Sequence, residues 1–453
     1  MKKVFKRKLP DLCNCKISII GLGYVGLPLA IEFARTENCK RTSKILNRSV
    51  FGLDINEKRI SDLKNGIDNT NELTDNEKSF LNKITFTSNH NDIYDSDVFI
   101  VTVPTPIDTK KNPDLNPLIS ATETISICLK KAKERDLYHD KKIIIYESTV
   151  FPGATEEICL PIFEKESNFK INRDFSLGYS PERINPGDRD HRLVNIKKVT
   201  SGSDKETRVW VDNFYGSIID AGTYSVSSIK TAEAAKIIEN TQRDLNIALV
   251  NELAQIFERI GVDTKEVLDA ASTKWNFMNF YPGLVGGHCI GVDPYYLTFK
   301  SIKVGYKPNI ILAGRKINDS MGAYTAGLLI KKMLKKSILI KKSKILIMGF
   351  SFKENCPDIR NSGVINVVNE LEEFGCKVEI YDPWVPPEDA LKLYKINIFN
   401  HIPKNKYSGV FIAVPHKCFL DFGIEGITKY CEENHVIFDL KYLFPIDERI
   451  ERI

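Results

Sequence analysis

One cysteine lies in a glycine-rich loop whose residue types suit nucleophilic chemistry. Residues 282–294 read PGLVGGHCIGVDP, with glycines on both sides of Cys289 and with Asp293 four residues further on. A cysteine that only fills a core behaves as a small hydrophobe and has no need of such a loop. A thiolate attacks carbonyl carbon, and a nearby carboxylate handles a proton or a water. The loop therefore predicts a nucleophilic Cys289 assisted by Asp293.

A second motif has the form of a dinucleotide-binding loop. The candidate strand Ile17–Ile20 leads into G-x-G-x-x-G at Gly21, Gly23 and Gly26, and a later strand ends at Asp54. The first glycine permits a tight turn, the second lets backbone approach a pyrophosphate, and the third lets the helix pack close to the strand. Asp54 is placed to bind an adenosine ribose, and its charge repels a 2′-phosphate. The motif predicts NAD rather than NADP.

Polar residues also end two later strands. The segments VTVPTP at 101–106 and YESTV at 146–150 each follow a β-branched run. Ligands of open α/β sheets bind at the carboxyl ends of the strands, so we expect these polar termini to face the cofactor, with a plain loop as the alternative for each segment.

Two blocks of α/β alternation supply the elements that must position these motifs. Candidate strands of the first block are Ile17–Ile20, Val50–Asp54, Val98–Val103, Ile143–Glu147 and Phe175–Tyr179. Those of the second block are Lys344–Gly349, Lys377–Tyr381, Val410–Val414 and Val436–Leu440, with a first crossover helix over Asn361–Phe374. The glycine-to-acid spacing is equal in the two blocks (54 − 21 = 33 and 382 − 349 = 33), although an apparent insertion around Asn38–Arg48 leaves open whether this is chance.

A long helix is predicted between the blocks, from about 228 to 260. Ser228 is its candidate N-cap and Gly261 its end. Its apolar residues recur with a period of 3.6 and fall largely on one stripe: Ala235, Ile238, Leu245, Leu249, Leu253 and Ile256. The helix is interpreted as a spine between domains, with a dimer seam as the alternative. A lysine-rich linker over 331–344, interpreted as a solvated face, follows it.

The sequence thus predicts an α/β protein with two Rossmann-like parallel-sheet domains joined by a long central helix. The predicted organisation is a basic tail over 1–15, an NAD-binding Rossmann-like domain over 16–205, a central helical and dimerisation domain with the cysteine loop over 206–335, and a second Rossmann-like domain over 336–453.

Composition narrows the class of function. The 453 residues carry 64 Lys+Arg against 59 Asp+Glu, a net charge of +5 that is too small to indicate a nucleic-acid partner. No run of 18 apolar residues exists, so we expect no membrane-spanning helix. The ten cysteines include no C-x-x-C pair and the seven histidines no H-x-x-x-H pair, which argues against a metal site and a disulfide framework. Scattered thiols favour a cytoplasmic protein.

Five segments, in order along nearly the whole chain, resemble the UDP-glucose/GDP-mannose dehydrogenase family. They are GLGYVGLPLA from Gly21, YESTVFPGAT from Tyr146, GYSPERINPGD from Gly178, GGHC followed by Asp293, and GFSFK through DIR, which ends at Arg360. The resemblance implies a dimeric or larger NAD-dependent enzyme that oxidises the C6 alcohol of a sugar nucleotide to a carboxylate. It also implies that the domain over 336–453 binds a UDP-sugar. It further implies a thiohemiacetal and then a thioester on Cys289.

The resemblance also implies roles for individual residues. The catalytic set holds Lys236 and Asn240 as oxyanion donors, Asp293 and Glu182 for proton and water handling, and Thr149 for holding the attacking water, beside Cys289. The cofactor set is Gly21, Gly23, Tyr24, Val25, Gly26, Asp54, Arg59, Pro104, Thr105, Thr149 and Arg360. The substrate set is Glu182, Arg183, Lys236, Asn240, Tyr281, Gly286, Phe352 and Lys353. No metal is expected.

The choice of sugar rests on association alone. His288 and Val292 stand where UDP-glucose enzymes of the family usually have Ser and Lys, and the GVDPYYL wording resembles the UDP-N-acetylhexosamine branch. We therefore expect UDP-GlcNAc or UDP-GalNAc as the substrate of a homodimer that feeds surface polysaccharide synthesis, with UDP-ManNAc or UDP-glucose as the alternative. A two-electron hydroxyacid dehydrogenase and a non-catalytic sugar-nucleotide-binding regulator are the remaining hypotheses.

Overall fold

The chain folds into two units, each built around a mostly parallel β-sheet. The computed structural model describes residues 7–70, 72–183, 192–287 and 289–453. The compact units are Met1–Ile238 and Glu239–Ile453, so the division falls inside one long helix. The α/β class and the two parallel-dominated sheets that the sequence predicts are confirmed.

The first unit contains an eight-stranded sheet of order β3-β2-β1-β4-β5-β6-β7-β8. Its strands are β1 Lys16–Ile20, β2 Ser49–Leu53, β3 Ile84–Thr87, β4 Val98–Val101, β5 Lys142–Tyr146, β6 Phe175–Tyr179, β7 Lys198–Gly202 and β8 Thr223–Ser225. Neighbouring strands run parallel except β6 and β7, which are antiparallel. The helices are α1 Gly26–Arg35, α2 Glu57–Lys64, α3 Asp75–Lys78, α4 Asn116–Glu134, α5 Leu160–Ser167 and α6 Lys205–Gly216.

The strand order reverses between β1 and β4, and this places the glycine loop at the point where open α/β sheets bind ligands. Alternate residues of the central strands, such as Ile17, Ile19, Ile143 and Ile145, are fully buried in one core. The apolar runs that predicted these strands therefore pack on helices, as expected for a parallel sheet covered on its faces.

Helix α7, Ile229–Ile260, runs for 32 residues through the boundary between the units. Ser228 Oγ accepts a hydrogen bond from the Thr231 amide (3.1 Å), and Gly261 ends the helix with φ of +74°. Both predicted ends are confirmed. A positive φ suits glycine because it has no Cβ to clash with the preceding turn.

The second unit contains α8 and a six-stranded parallel sheet of order β11-β10-β9-β12-β13-β14. The strands are β9 Lys344–Met348, β10 Lys377–Tyr381, β11 Ile398–Phe399, β12 Tyr407–Ile412, β13 Cys431–Asp439 and β14 Ile450–Arg452. The helices are α8 Thr264–Ser272, α9 Asp293–Lys303, α10 Asn309–Lys335, α11 Val364–Glu373, α12 Pro387–Tyr394 and α13 Lys417–Thr428. Part of the predicted linker is thus the end of α10, and Lys332 pairs with Glu451 (2.8 Å) rather than being fully solvated.

The Asn38–Arg48 insertion packs on its own unit, away from the glycine loop. The Asn47 amide donates to the Cys13 carbonyl (2.7 Å) just before β1, and Arg48 donates to Ser217 Oγ (2.9 Å) just after α6. These contacts lie at the amino ends of β1 and β2, whereas ligands bind at the carboxyl ends. The predicted basic tail also contacts the first unit from Arg7 onward, because Arg7 forms an ion pair with Asp174 (2.7 Å).

Candidate active site

The glycine loop has the geometry that a bound pyrophosphate requires. Gly21 has φ of +94°, and a Cβ there would approach the Thr102 carbonyl oxygen to 3.0 Å. A Cβ on Gly26 would lie 1.9 Å from the Gly21 carbonyl oxygen, which shows how closely α1 approaches the strand end. A Cβ on Gly23 would meet nothing within 4 Å, so backbone at this exposed position is open to a ligand. Tyr24 and Val25 complete the turn into α1, whose N-terminus attracts negative charge.

Asp54 and Arg59 both brace this loop through the backbone of Leu22. Asp54 Oδ2 accepts the Leu22 amide (2.8 Å), and Arg59 Nε donates to the Leu22 carbonyl (3.0 Å). Arg59 also pairs with buried Asp68 (3.0 Å), while its Nη1 is buried with no hydrogen-bond partner among the described residues. An unsatisfied buried guanidinium nitrogen beside an open glycine turn fits a phosphate-bearing dinucleotide.

Three side chains at the polar strand ends bond to other groups of the protein. Thr102 Oγ1 donates to the Gly21 carbonyl (2.7 Å) and Ser148 Oγ to the Val103 carbonyl (2.7 Å). Glu147 is fully buried and pairs with Lys198 (2.7 Å). Burial raises the pKa of Glu147, and the Lys198 ammonium opposes that rise. A carboxylate taken out of water requires such a partner, so Glu147 faces the core.

Three predicted contacts lie in loops at the carboxyl ends of strands. Pro104 and Thr105 follow β4, and half-buried Thr149 follows β5. The position of all three at the ligand-binding edge agrees with the segments that predicted them, and their roles remain predictions.

Glu182 and Lys236 form a buried ion pair in the first unit. Lys236 Nζ lies 2.6 Å from Glu182 Oε1 and donates to the Glu182 carbonyl (3.2 Å), and the side chains are 3% and 10% exposed for Lys236 and Glu182. Arg183 reaches the same helix and donates to the carbonyls of Ala235 (3.0 Å) and Lys236 (3.3 Å). Lys236 is therefore not the exposed helix lysine that a residue of its type would be by default.

Within the second unit, the cysteine loop packs on the loop that follows β9. A Cβ on Gly286 would lie 2.9 Å from the Asn361 carbonyl oxygen, and one on Gly287 would lie 2.9 Å from the Phe352 ring. Gly287 has φ of +80°, and the side-chain Nδ2 of Asn361 donates to the Gly287 carbonyl (3.3 Å). These positions are therefore glycine because the backbone approaches its neighbours closely. Cys289, two residues on, is partly exposed.

Asn240 and Asp293 are paired in the same unit. Asn240 Nδ2 donates to Asp293 Oδ2 (2.6 Å), and both residues are at least nine-tenths buried. Asp293 is the first residue of α9, and its amide donates to the Cys289 carbonyl (2.9 Å). The structure thus brings a proposed oxyanion donor, a proposed base and the cysteine backbone together.

A cavity of about 180 Å³ opens where the strand order reverses between β9 and β12. Its lining includes the predicted contacts Phe352 and Lys353, and also Lys441, which follows β13. Lys441 Nζ donates to the Pro282 carbonyl (3.2 Å), and burial lowers the pKa of Lys441, opposed by Glu354 and Asp439. Two lysines at a switch point suit a diphosphate.

The loop that carries Phe352 and Lys353 is held by a buried pair, Asp382 and His416. Asp382 Oδ2 accepts the Phe350 (2.7 Å) and Ser351 (3.0 Å) amides and lies 3.1 Å from His416 Nε2. His416 Nδ1 accepts the Asn355 amide (2.9 Å), which leaves Nε2 as the protonated nitrogen. Burial favours a raised pKa for Asp382, but the hydrogen bonds from His416 and the two amides hold it below its usual value.

Two further predicted contacts have partners of their own. Arg360 donates through Nε to Asp358 Oδ1 (2.9 Å), within its own loop. Tyr281 is partly exposed, and Lys265 Nζ lies 5.8 Å from its ring. Their predicted contacts with cofactor and substrate remain predictions.

Helix α7 buries several polar residues and exposes part of its predicted apolar stripe. The buried polar residues are Glu233, Lys236, Asn240, Asp244 and Asn251. On the predicted stripe, by contrast, Ile238, Leu249 and Ile256 are 56%, 54% and 46% exposed. The interpretation of the helix as a spine between domains agrees with its course through the boundary between the units, and the dimer seam stays a prediction.

Two parts of the segments that resemble the family, residues 184–188 and His288, lie outside the described residues. Sequence reasoning missed Lys441 and Asn251. The signal for Lys441 was its place after a strand end, as for the residues that follow β4 and β5.

No group of three or more potential metal ligands occurs among the described residues. None of the described helices has the length and apolar character that a membrane span requires.

Comparisons with known proteins agree with the geometry. Three models of the UDP-glucose/GDP-mannose dehydrogenase family match the chain: the NAD binding domain at 15–219, the central domain at 230–320 and the UDP binding domain at 346–445. Two UDP-N-acetyl-D-glucosamine 6-dehydrogenases are similar over nearly their whole length. The Pseudomonas aeruginosa enzyme is 54% identical (96% of this chain, 98% of the relative), and the Salmonella typhi enzyme is 52% identical (97% and 98%).

A solved structure, the UDP-D-ManNAc dehydrogenase from Pyrococcus horikoshii, superimposes with a TM-score of 0.83 at 28% identity, over 97% of this chain and 99% of that one. The family models together span well over half of the chain, and the region matched by the NAD binding domain contains the open glycine loop. The chain therefore belongs to the UDP-glucose/GDP-mannose dehydrogenase family and is a dehydrogenase of sugar nucleotides that uses NAD.

Proposed function

We propose that the enzyme oxidises the C6 hydroxyl of a UDP-N-acetylhexosamine to the uronic acid. UDP-GlcNAc is the first candidate substrate and UDP-GalNAc the second. The two relatives that share more than half of its residues are UDP-N-acetyl-D-glucosamine 6-dehydrogenases, whereas the ManNAc enzyme shares 28%. The GVDPYYL segment at 291–297 supports the same branch. Such a product suits surface polysaccharide synthesis.

The observation that carries the chemistry is that each proposed oxyanion donor is paired with a carboxylate. Lys236 binds Glu182, and Asn240 binds Asp293. A base is needed to take the C6 hydroxyl proton, and a cationic or amide donor to stabilise the oxygen as its charge develops. NAD, when bound, would supply the hydride acceptor for each of the two oxidations, so the full reaction would consume two NAD and one water per sugar.

Cys289 supplies the step that an aldehyde cannot complete alone. Its thiolate forms a C–S bond to the C6 aldehyde carbon, which makes the carbon tetrahedral and turns the carbonyl oxygen into an oxyanion held by Lys236 and Asn240. Oxidation of this adduct leaves a thioester. Water, held by Thr149 and deprotonated by Glu182 or Asp293, then displaces the thiolate and releases the carboxylate.

The UDP moiety is assigned to the cavity of the second sheet. Lys353 and Lys441 provide positive charge for the diphosphate, and Phe352 provides a ring beside the cysteine loop. Contacts by Arg183, Tyr281 and Gly286 with the sugar nucleotide, and by Arg360 with the NAD pyrophosphate, belong to the same proposal.

We further propose a cytoplasmic homodimer. The exposed stripe of Leu249 and Ile256 on α7 is apolar surface that a second copy would bury. The thiols of Cys128, Cys159 and Cys431 are buried and free, as in proteins of a reducing compartment.

Relative kcat/KM values for UDP-GlcNAc, UDP-GalNAc, UDP-ManNAc and UDP-glucose, followed by NADH absorbance, test the substrate. UDP-GlcNAc is expected to lead the last two by about tenfold or more, a difference of about 1.4 kcal/mol in transition-state binding. A lead for UDP-ManNAc or UDP-glucose would replace the proposed sugar. Absence of NADH with all four, while the nucleotides still bind, would indicate a regulator.

A further inference from the structure

One buried asparagine of α7 holds Gly283, the second residue of the cysteine loop. Asn251 is fully buried, and its Oδ1 accepts the Gly283 amide (2.9 Å) while its Nδ2 donates to the Gly283 carbonyl (3.1 Å). A single side-chain amide thus satisfies both backbone groups of one residue, as a neighbouring strand would. The backbone of Gly283 is fixed in position and orientation.

The Asn251 amide is itself oriented by a buried network. Its Nδ2 also donates to Asn318 Oδ1 (2.8 Å) on α10, and Asn318 Nδ2 donates to Asp244 Oδ1 (2.7 Å). Arg315 Nη1 donates to the same Asp244 oxygen (2.6 Å). Buried polar networks of this kind rigidify the groups that they join, because breaking one bond leaves an unsatisfied partner.

The far end of the loop is held from the same helix. Asn240 binds Asp293, ten residues after Gly283, and Cys289 lies between these two anchors. Asn240 and Asn251 are eleven residues apart, which is about three turns or 16 Å along α7 and returns nearly to the same face. Both ends of the cysteine loop are therefore anchored on one rigid element.

We propose that Asn251 is a positioning residue that sets the place of Cys289 through Gly283 and thereby governs the second oxidation. The inference rests on the proposed function, in which only the second oxidation requires the C–S bond. Attack on the aldehyde needs the sulfur about 3–3.5 Å from the carbon, and a displacement of about 1 Å costs about 100-fold in rate. The first oxidation makes no bond to sulfur and is insensitive to such a shift.

The test is a single-turnover measurement of the two NADH phases with UDP-GlcNAc in Asn251→Ala. Asn434→Ala is the matched control, since Asn434 also donates to a backbone carbonyl, that of Lys336 (2.7 Å), but on β13. Asn251→Ala is expected to slow the second phase about 100-fold while the first stays within about threefold, and the control to change neither.

A second variant protects the test against misfolding. Asn318→Ala keeps both hydrogen bonds to Gly283 but removes the acceptor that orients the amide, so the same selective loss is expected at smaller size. Two NADH phases in the wild type with equal slowing, or no slowing, of both phases in the variants would overturn the role of Asn251. A wild type that forms only one NADH per sugar would instead overturn the proposed function.

Discussion

The buried pair of Lys236 and Glu182 gives the sharpest prediction, because its contribution to stability and its contribution to catalysis can be measured separately. Lys236→Met keeps the length of the side chain but leaves the Glu182 carboxylate buried without its cation. Loss of one partner of a buried pair costs about 3–5 kcal/mol, or roughly 10 °C in Tm for a unit of this size. Loss of an oxyanion donor is expected to lower kcat by about 10²–10³-fold as well.

The double variant Lys236→Met with Glu182→Gln distinguishes stability from catalysis. Without a buried unpaired charge it should regain at least about 2 kcal/mol of the lost stability, while kcat stays at least about 100-fold down. Denaturant unfolding and NADH formation measure the two quantities. Lys230→Met is the control, since Lys230 on the same helix makes a looser, more exposed pair with Glu157 (3.6 Å) worth less than about 1 kcal/mol.

Either of two results would refute this reasoning. If activity returned with stability in the double variant, Lys236 would serve only to neutralise Glu182. If Lys236→Met left stability unchanged, the buried ion pair would not exist in solution.

Three further predictions follow from the geometry. Gly26→Ala should prevent stable folding, because the added Cβ would lie 1.9 Å from the Gly21 carbonyl oxygen. Gly23→Ala should keep the wild-type Tm, because its Cβ would meet nothing within 4 Å, and should weaken NAD binding by about tenfold, measured by NADH fluorescence. Asp382→Asn should lose about 3 kcal/mol at neutral pH, because it weakens the hydrogen bonds that His416 and two backbone amides donate to a charged carboxylate. Because the folded-state pKa of Asp382 is depressed, that stabilisation should fade as the pH falls below the ordinary value of 3.8, so the two proteins converge in acid. Leu249→Asp should convert the proposed dimer to a monomer in light scattering.

Controls sharpen these expectations. Asp389→Asn changes an exposed carboxylate and should leave stability within about 0.5 kcal/mol of wild type. Leu391→Asp alters an equally exposed leucine (51%) on α12 and should leave the mass unchanged. Unchanged NAD binding in Gly23→Ala, a constant Asp382→Asn difference down to acid pH, or an unchanged mass for Leu249→Asp would each contradict the corresponding prediction.

The sequence predicted the parts of the fold that depend on local patterns. Both blocks reuse one turn: the Gly21 amide donates to the Leu53 carbonyl and the Gly349 amide to the Tyr381 carbonyl, each at 2.8 Å. The two glycines have φ of +94° and +89°. The acids 33 residues later accept amides just after each glycine, so the two glycine-to-acid pairs occupy equivalent positions in the two sheets.

What the sequence could not predict depends on contacts between distant segments. Hydrophobic periodicity assumes that an apolar stripe is buried, whereas α7 exposes Ile238, Leu249 and Ile256 of its predicted stripe. Asn251 lies 32 residues from Gly283, and Lys441 lies 159 residues from Pro282. Only the folded chain brings these groups together, and the same holds for the pairing of Glu147 with Lys198.

The central claim is a four-electron oxidation through Cys289, and the NADH formed per UDP-GlcNAc consumed to completion tests it most directly. The account predicts two NADH per sugar and a carboxylate product for the wild type, and no more than one NADH for Cys289→Ala. One NADH per sugar in the wild type, or two in Cys289→Ala, would contradict it.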